Sequence, residues 1–123
     1  MEKISTEKAP AAAGPYSQAV ESDGIVYASG QIPVDPATGK MPESIADQAR
    51  QALENLRNVI EASGSSMGKV LKVTIYLTDM SAFPEVNGIY AGFFSEPYPA
   101  RSCVGCASLP KGAKIEIDAI AAR

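Results

Sequence analysis

Apolar and charged positions alternate along Lys114-Ile115-Glu116-Ile117-Asp118-Ala119-Ile120, the period of two that a half-buried strand requires. The run from Pro99 to Ala107 is rich in small and β-branched residues, and Ser108 to Ala113 between the two runs holds Pro and Gly. The pattern predicts one β-hairpin. Pairing Ala107 with Lys114 sets Gly105 opposite Glu116 and Cys103 opposite Asp118. Arg101, Cys103, Glu116 and Asp118 then share one face, and Val104, Ile115, Ile117 and Ala119 the other. A slip of one residue would part Arg101 from Glu116, so the pairing depends on the length of the loop.

The same patterning places the other elements. Ala9 to Tyr16, punctuated by Pro10, Gly14 and Pro15, reads as extended despite its alanines. Ser22-Asp23-Gly24 between apolar runs predicts a hairpin joining Gln18–Glu21 to Ile25–Gln31. Gly30, near the end of that second strand, marks a bulge, a strand end or a close approach of a backbone or ligand. Val34 to Lys40 is a loop by its turn residues. Ile45 to Ser63 carries Ile45, Ala49, Ala52, Leu53, Leu56, Val59 and Ile60 on one helical stripe, with Ser44 as N-cap and Gly64 as stop. Val70 to Thr78 alternates, with Leu71, Val73, Ile75 and Leu77 on one face and Lys72, Thr74, Tyr76 and Thr78 on the other. A second helix, capped by Asp79 or Ser81 with Pro84 in its first turn, bears a stripe of Phe83, Val86, Tyr90, Phe93 and Phe94. Such a stripe is ordinarily core, although Asn87-Gly88 within it lowers helix propensity and asks for a packing or functional reason. The order hairpin, helix, strand, helix, hairpin predicts an α+β domain spanning residues 1–123, with both helices on one face of a mostly antiparallel or mixed sheet. The other face holds Tyr76, Cys103, Arg101 and small residues in addition to charges, which makes it a candidate association surface.

Composition narrows the chemistry. The chain has 123 residues, a net charge of −3 and no histidine, so Ser-His-Asp and Cys-His catalysis, an imidazole base and histidine zinc sites are excluded. Carboxylates, arginine, tyrosine, thiol, backbone and water remain. The mild acidity and lack of a basic cluster argue against nucleic acid or anionic membrane as partner and favour small molecules or proteins. No apolar run approaches the ~18 residues of a membrane span, and Met1 to Lys8 lacks a signal-peptide core. The expectation is a soluble, cytoplasmic protein. Cys103 and Cys106 have the Cys-x-x-Cys spacing, yet three residues along a strand place them on opposite faces about 10 Å apart, too far for a disulfide. Cys106 reads as small core, and Cys103 as packing or a half-exposed thiol near Arg101. From spacing alone, Arg101 and Glu116 are either an ordinary cross-strand ion pair or parts of a site.

Pro99-Ala100-Arg101-Ser102-Cys103-Val104, together with Leu109-Pro110-Lys111-Gly112-Ala113-Lys114-Ile115-Glu116-Ile117-Asp118-Ala119-Ile120-Ala121, closely resembles the signature of the Rid family, also called YjgF or UK. Gly14-Pro15-Tyr16-Ser17-Gln18-Ala19, Ala28 to Pro33, Gln48-Ala49 through Asn55-Leu56, Val73 to Met80 and Phe83 to Asn87 extend the resemblance over almost the whole chain. The likeness is greatest to the imine deaminase subgroup. It implies a chorismate-mutase-like subunit, a homotrimer whose sheets form a central barrel, and clefts between subunits. The implied reaction is hydrolysis of 2-imino acids or their enamines, released by pyridoxal-phosphate-dependent serine and threonine dehydratases, to 2-oxo acids and ammonium, with no cofactor or metal of its own. In that scheme Arg101 holds the substrate carboxylate and Glu116 handles water, while Tyr16, Ser29, Gly30, Asn87 and Cys103 match positions lining the cleft. Gly105-Cys106 departs from the family pattern, with consequences for cleft shape. Two other readings are a trimer that binds or senses 2-oxo acids or another small carboxylate without turnover, and a nuclease or translation inhibitor, as the resemblance also allows, which the acidic charge and missing histidines disfavour.

Overall fold

The helix predicted from periodicity is the pillar of the structure. In the computed structural model, which describes residues Met1–Arg123, α1 runs from Ile45 to Ala62. The Ser44 hydroxyl accepts a 3.1 Å hydrogen bond from the Asp47 N–H at its start, and Gly64, at φ +89°, ends it in a conformation that side chains avoid. Its inward face buries Ala49, Ala52, Leu53, Leu56, Val59 and Ile60 completely, each large aliphatic contributing about 1.5–3 kcal/mol of burial. Two amides lie buried on the same face. The Gln48 side chain donates to the Pro42 carbonyl (2.8 Å) and accepts from the Lys114 N–H (2.9 Å). Asn55 donates to the carbonyls of Ile32 (3.0 Å) and Val34 (2.9 Å). These bonds fasten the 32–42 loop and the approach to the last strand to the helix, a role the apolar pattern does not reveal.

The strands are β1 (Glu2–Ile4), β2 (Ala19–Ser22), β3 (Ile25–Gln31), β4 (Val70–Leu77), β5 (Ala100–Gly105) and β6 (Ile115–Ala122), and α2 is Phe83–Ala91. The β2–β3 hairpin turns on Asp23 and Gly24, both at positive φ (52° and 79°), as expected of Asp-Gly. Asp79 accepts from the Ser81 N–H (2.9 Å) to start a short 3₁₀ turn ahead of α2, with Pro84 in the helix's first turn. Val70 is buried and Leu71 is exposed, contrary to the expected alternation, because the β4–β6 register shifts between Val70 and Lys72.

The sheet order β1-β2-β3-β6-β4-β5 overturns the expected C-terminal hairpin. Chain-adjacent β5 and β6 are not neighbours, since β4 lies between them. β5 pairs parallel with β4, reached through the α2 crossover, and β6 is antiparallel to both β3 and β4. The loop after β5 therefore crosses over β4 instead of folding back. Registers now run Arg101–Val73–Ala119, Cys103–Ile75–Ile117 and Val104–Tyr76–Glu116. Paired residues share a face, so Arg101 and Cys103 stand on the helix-covered side. Glu116, Asp118 and Val104 stand on the other. That reverses the shared face expected for Arg101 and Glu116. One core of 22 buried residues fills the space between the helices and the sheet. Tyr27 and Val104, on the opposite face, are respectively 47% and 42% exposed.

Candidate active site

Arg101 projects from edge strand β5 toward α2, where one helical stripe meets it. Its Nη1 donates to Asn87 Oδ1 (2.7 Å), and its guanidinium carbon lies 4.8 Å from the Tyr90 ring centroid and 5.2 Å from that of Phe83. Phe83, Asn87 and Tyr90 recur at i, i+4 and i+7, the spacing of one helix face. Asn87 is thereby accounted for; Gly88 faces open space, and nothing in the structure calls for glycine there. No carboxylate pairs with Arg101, and Asn87 occupies one of its five N–H donors. The side chain borders a cavity of about 440 Å³ lined also by Asn87, Tyr90, Ala91, Tyr98 and Pro99. Cys103 lies two residues along on the same face, half-buried and free. Burial pushes its thiol pKa up, and the positive charge of Arg101 opposes that push, so Cys103 is built as a neutral thiol and not as a thiolate nucleophile.

The second group of residues lies elsewhere on the sheet. The β3–β6 register shifts between Ala28 and Gln31, so Gly30 sits in a bulge, and what presses on it is the Glu116 side chain, not the backbone or ligand expected. A Cβ at Gly30 would stand 2.1 Å from Glu116 Oε2. Glu116 is half-buried, and its pKa is raised, first by desolvation and second by the neighbouring charge of Asp118. Tyr76, paired directly with Glu116, donates its hydroxyl to Asp118 Oδ2 (2.9 Å). Ser29 Oγ donates to the Ser17 carbonyl (2.6 Å) and its N–H to the Gln18 carbonyl (2.9 Å), tying the strand to the segment that carries Tyr16. Tyr16, Ser29 and Gly30 share a cavity of about 160 Å³ with Pro110 and Lys111. The N-terminal segment is itself held by Gln18, whose buried amide accepts from the Thr6 N–H (2.7 Å) and donates to the carbonyls of Thr6, Ala9 and Pro10 (3.1, 3.3 and 2.7 Å). A larger hollow of about 650 Å³ lies beside that segment, but of the candidate residues it touches only Tyr16.

The candidates thus form two half-sites. Arg101, Asn87 and Cys103 make a cationic edge; Tyr16, Ser29 and Gly30 line a cavity, and Gly30 also packs against Glu116, a carboxylate that holds its proton more tightly than usual. One copy of the chain does not bring the halves together. No group of three or more His, Cys, Asp or Glu side chains is arranged to hold a metal ion. The Tyr90 contact and the buried amides Gln18, Gln48 and Asn55 carry no signal in the hydrophobic pattern beyond their being polar or aromatic within apolar runs.

Two helices on one side of a six-stranded mixed sheet, with an unpaired arginine on the parallel edge strand and a glutamate against a glycine bulge, define a class of small α+β proteins. This chain belongs to that class's Endoribonuclease L-PSP family, whose profile matches residues 6–123; it is the Rid family that the motifs resemble. Among relatives, the 2-iminobutanoate/2-iminopropanoate deaminase of Salmonella typhimurium is 51% identical over 123 residues, covering 98% of this chain and 96% of the relative. The crystal structure of RidA from an Antarctic Psychrobacter superposes with a TM-score of 0.97 at 45% identity over 100% of both chains. That of Escherichia coli TdcF with bound serine gives 0.96 at 44% identity, covering 100% of this chain and 99% of the other.

Proposed function

We propose that this protein hydrolyses 2-imino acids to 2-oxo acids and ammonium, in clefts completed by two subunits of a homotrimer whose open sheet faces form a central barrel. The observation that carries the reading is the Arg101 guanidinium: oriented by Asn87, free of any carboxylate partner and bordering a cavity. An ordinary Arg101–Glu116 ion pair is ruled out by the register, which places them on opposite faces. The deaminase names of relatives near 50% identity over full length point to the same chemistry.

The protonated imine carbon is already electrophilic, so positioning of water matters more than a powerful nucleophile. Arg101 receives the substrate carboxylate through two parallel N–H···O bonds, a geometry lysine cannot reproduce. Glu116 of the neighbouring subunit accepts a proton as the water oxygen bonds to the imine carbon, a contribution of about 10² to 10⁴ in rate. The resulting carbinolamine takes that proton on nitrogen. Glu116 then takes the hydroxyl proton as the C–N bond breaks and the oxygen becomes the new carbonyl, and it passes that proton to the departing ammonia, which leaves as ammonium. Asn87 fixes Arg101, Gly30 leaves room for Glu116, and Tyr16, Ser29 and Cys103 shape the cleft walls.

The test is release of 2-oxobutanoate from the imine that a pyridoxal-phosphate dehydratase makes from threonine. Arg101→Ala, with oligomeric state preserved, is expected to lower the rate at least about 100-fold. An unchanged rate would overturn the reading. Binding of 2-oxobutanoate by a parent protein that never turns over the imine would instead establish the sensing alternative.

A further inference from the structure

The α2 stripe that reads as ordinary core does something more specific at the sheet edge. Arg101 emerges from a strand whose outer edge is unpaired, and it is itself exposed, the setting in which a long, rotamer-rich side chain is ordinarily mobile. Yet three α2 side chains converge on the one guanidinium. Asn87 takes a single N–H at 2.7 Å, and the rings of Tyr90 and Phe83 both lie inside the ~6 Å range in which an aromatic face attracts a cation. Tyr90 is only 4% exposed and is braced from behind by Phe94, with ring centroids 4.5 Å apart. It is therefore a rigid surface, not a second mobile group. Its hydroxyl is buried without a hydrogen-bond partner, so what the position supplies to Arg101 is the ring.

We infer that Tyr90, with Phe83 in support, is a positioning residue that holds the Arg101 guanidinium in its carboxylate-receiving orientation before substrate arrives. The inference rests on the reading of Arg101 as substrate anchor. A preordered arginine spares each binding event the loss of side-chain freedom, which otherwise weakens capture of the carboxylate. The carboxylate is held equally in the bound imine and in the transition state. Losing the ring therefore raises KM and leaves kcat nearly unaltered, the signature of uniform binding.

The experiment compares parent, Arg101→Ala, Tyr90→Leu, Tyr90→Phe and Phe83→Leu as full-length oligomers. Steady-state hydrolysis of 2-iminobutanoate generated in situ is measured alongside the Arg101 Nε–H proton shift by NMR. For Tyr90→Leu, KM is expected to rise about three- to thirtyfold, with kcat within about twofold of the parent. The ring-current displacement of the Arg101 proton should shrink with it. Tyr90→Phe, which restores the ring without the hydroxyl, should recover most of both effects. If Tyr90→Leu does not fold, Phe83→Leu carries the same two readouts with a smaller expected change. An unaltered KM in Tyr90→Leu, where Arg101→Ala is inactive, overturns the inference. So does a Tyr90→Phe variant as impaired as Tyr90→Leu. Should Arg101→Ala itself remain fully active, the anchor reading fails, and the NMR shifts alone then decide whether the rings hold the arginine.

Discussion

Glu116 shows how much one residue's chemistry depends on its neighbours. Its backbone position is dictated by period-two alternation, but its protonation is set by partial burial and, second, by Asp118 two residues along on the same face. Both causes favour the neutral carboxyl, so its folded pKa lies above the unfolded value. If Glu116 is the base proposed above, it acts deprotonated, and the rate should accordingly fall as pH drops through that raised pKa. Asp118→Asn removes the second cause. The acid limb of kcat/KM against pH is expected to move to lower pH in this variant, by less than a return to the ordinary glutamate range, since burial persists. A limb that stayed in place or moved up would show that Asp118 does not act on the base. The same raised pKa has a cost in stability: the group favours folding below its unfolded pKa, and that contribution is lost as pH rises through the folded value. Gly30 is the complementary residue, because any side chain there would occupy the space of the Glu116 carboxylate.

At the scale of elements, α1, the Asp-Gly hairpin and the existence of α2 were legible because their signals are local: a cap, a turn dipeptide, a run of spaced apolar residues; the expected cap of α2 was not found, since Asp79 caps the 3₁₀ turn before it and Ala82 starts the helix without a side-chain cap. The C-terminal pairing was not, for a physical reason. Alternation states which residues of a strand share a face, but not which strand lies alongside. β4, some thirty residues upstream, takes the place beside both β5 and β6. Arg101 and Glu116 were thus singled out on one face, while the structure sets them on opposite faces. The buried amides were also unreadable, since each looks like a polar interruption of an apolar stripe. Asn55 is fully buried and bonded to two loop carbonyls. Asn55→Ala is expected to destabilise the fold by about 1–3 kcal/mol, measured as a lower urea midpoint at unchanged slope. A change below a few tenths would mean that water replaces the amide without penalty.

For the whole molecule, the decisive fact is that the half-sites stand on opposite faces and toward different parts of one sheet. If a cleft draws Arg101 from one subunit and Glu116 from the next around a cyclic trimer, two inactive variants should rescue one another. Arg101→Ala and Glu116→Gln chains co-assembled in equal amounts would form, at random, about one intact cleft in four. Mixed assemblies are expected to show about a quarter of parental activity, against almost none for either variant alone. Mixtures as inactive as their components would mean that each chain builds its site unaided. No helix is long and apolar enough to cross a membrane. The open face, with Tyr27 and Val104 showing, is the surface the trimer would cover.

The Gln18 amide, finally, makes the N-terminal segment a single latch. Four hydrogen bonds to Thr6, Ala9 and Pro10 converge on one side chain, so the segment should not fray residue by residue. It should detach in one cooperative event that releases the wall bearing Tyr16. Amide hydrogen exchange would report this as a protected Thr6 N–H in the parent that becomes fast in Gln18→Ala, while the amides of β4 and β6 keep their slow rates. If Thr6 were equally protected in both proteins, the latch would lie elsewhere. With the latch at Gln18, entry to the cavity beside Tyr16 is timed by the lifetime of a single side chain's contacts.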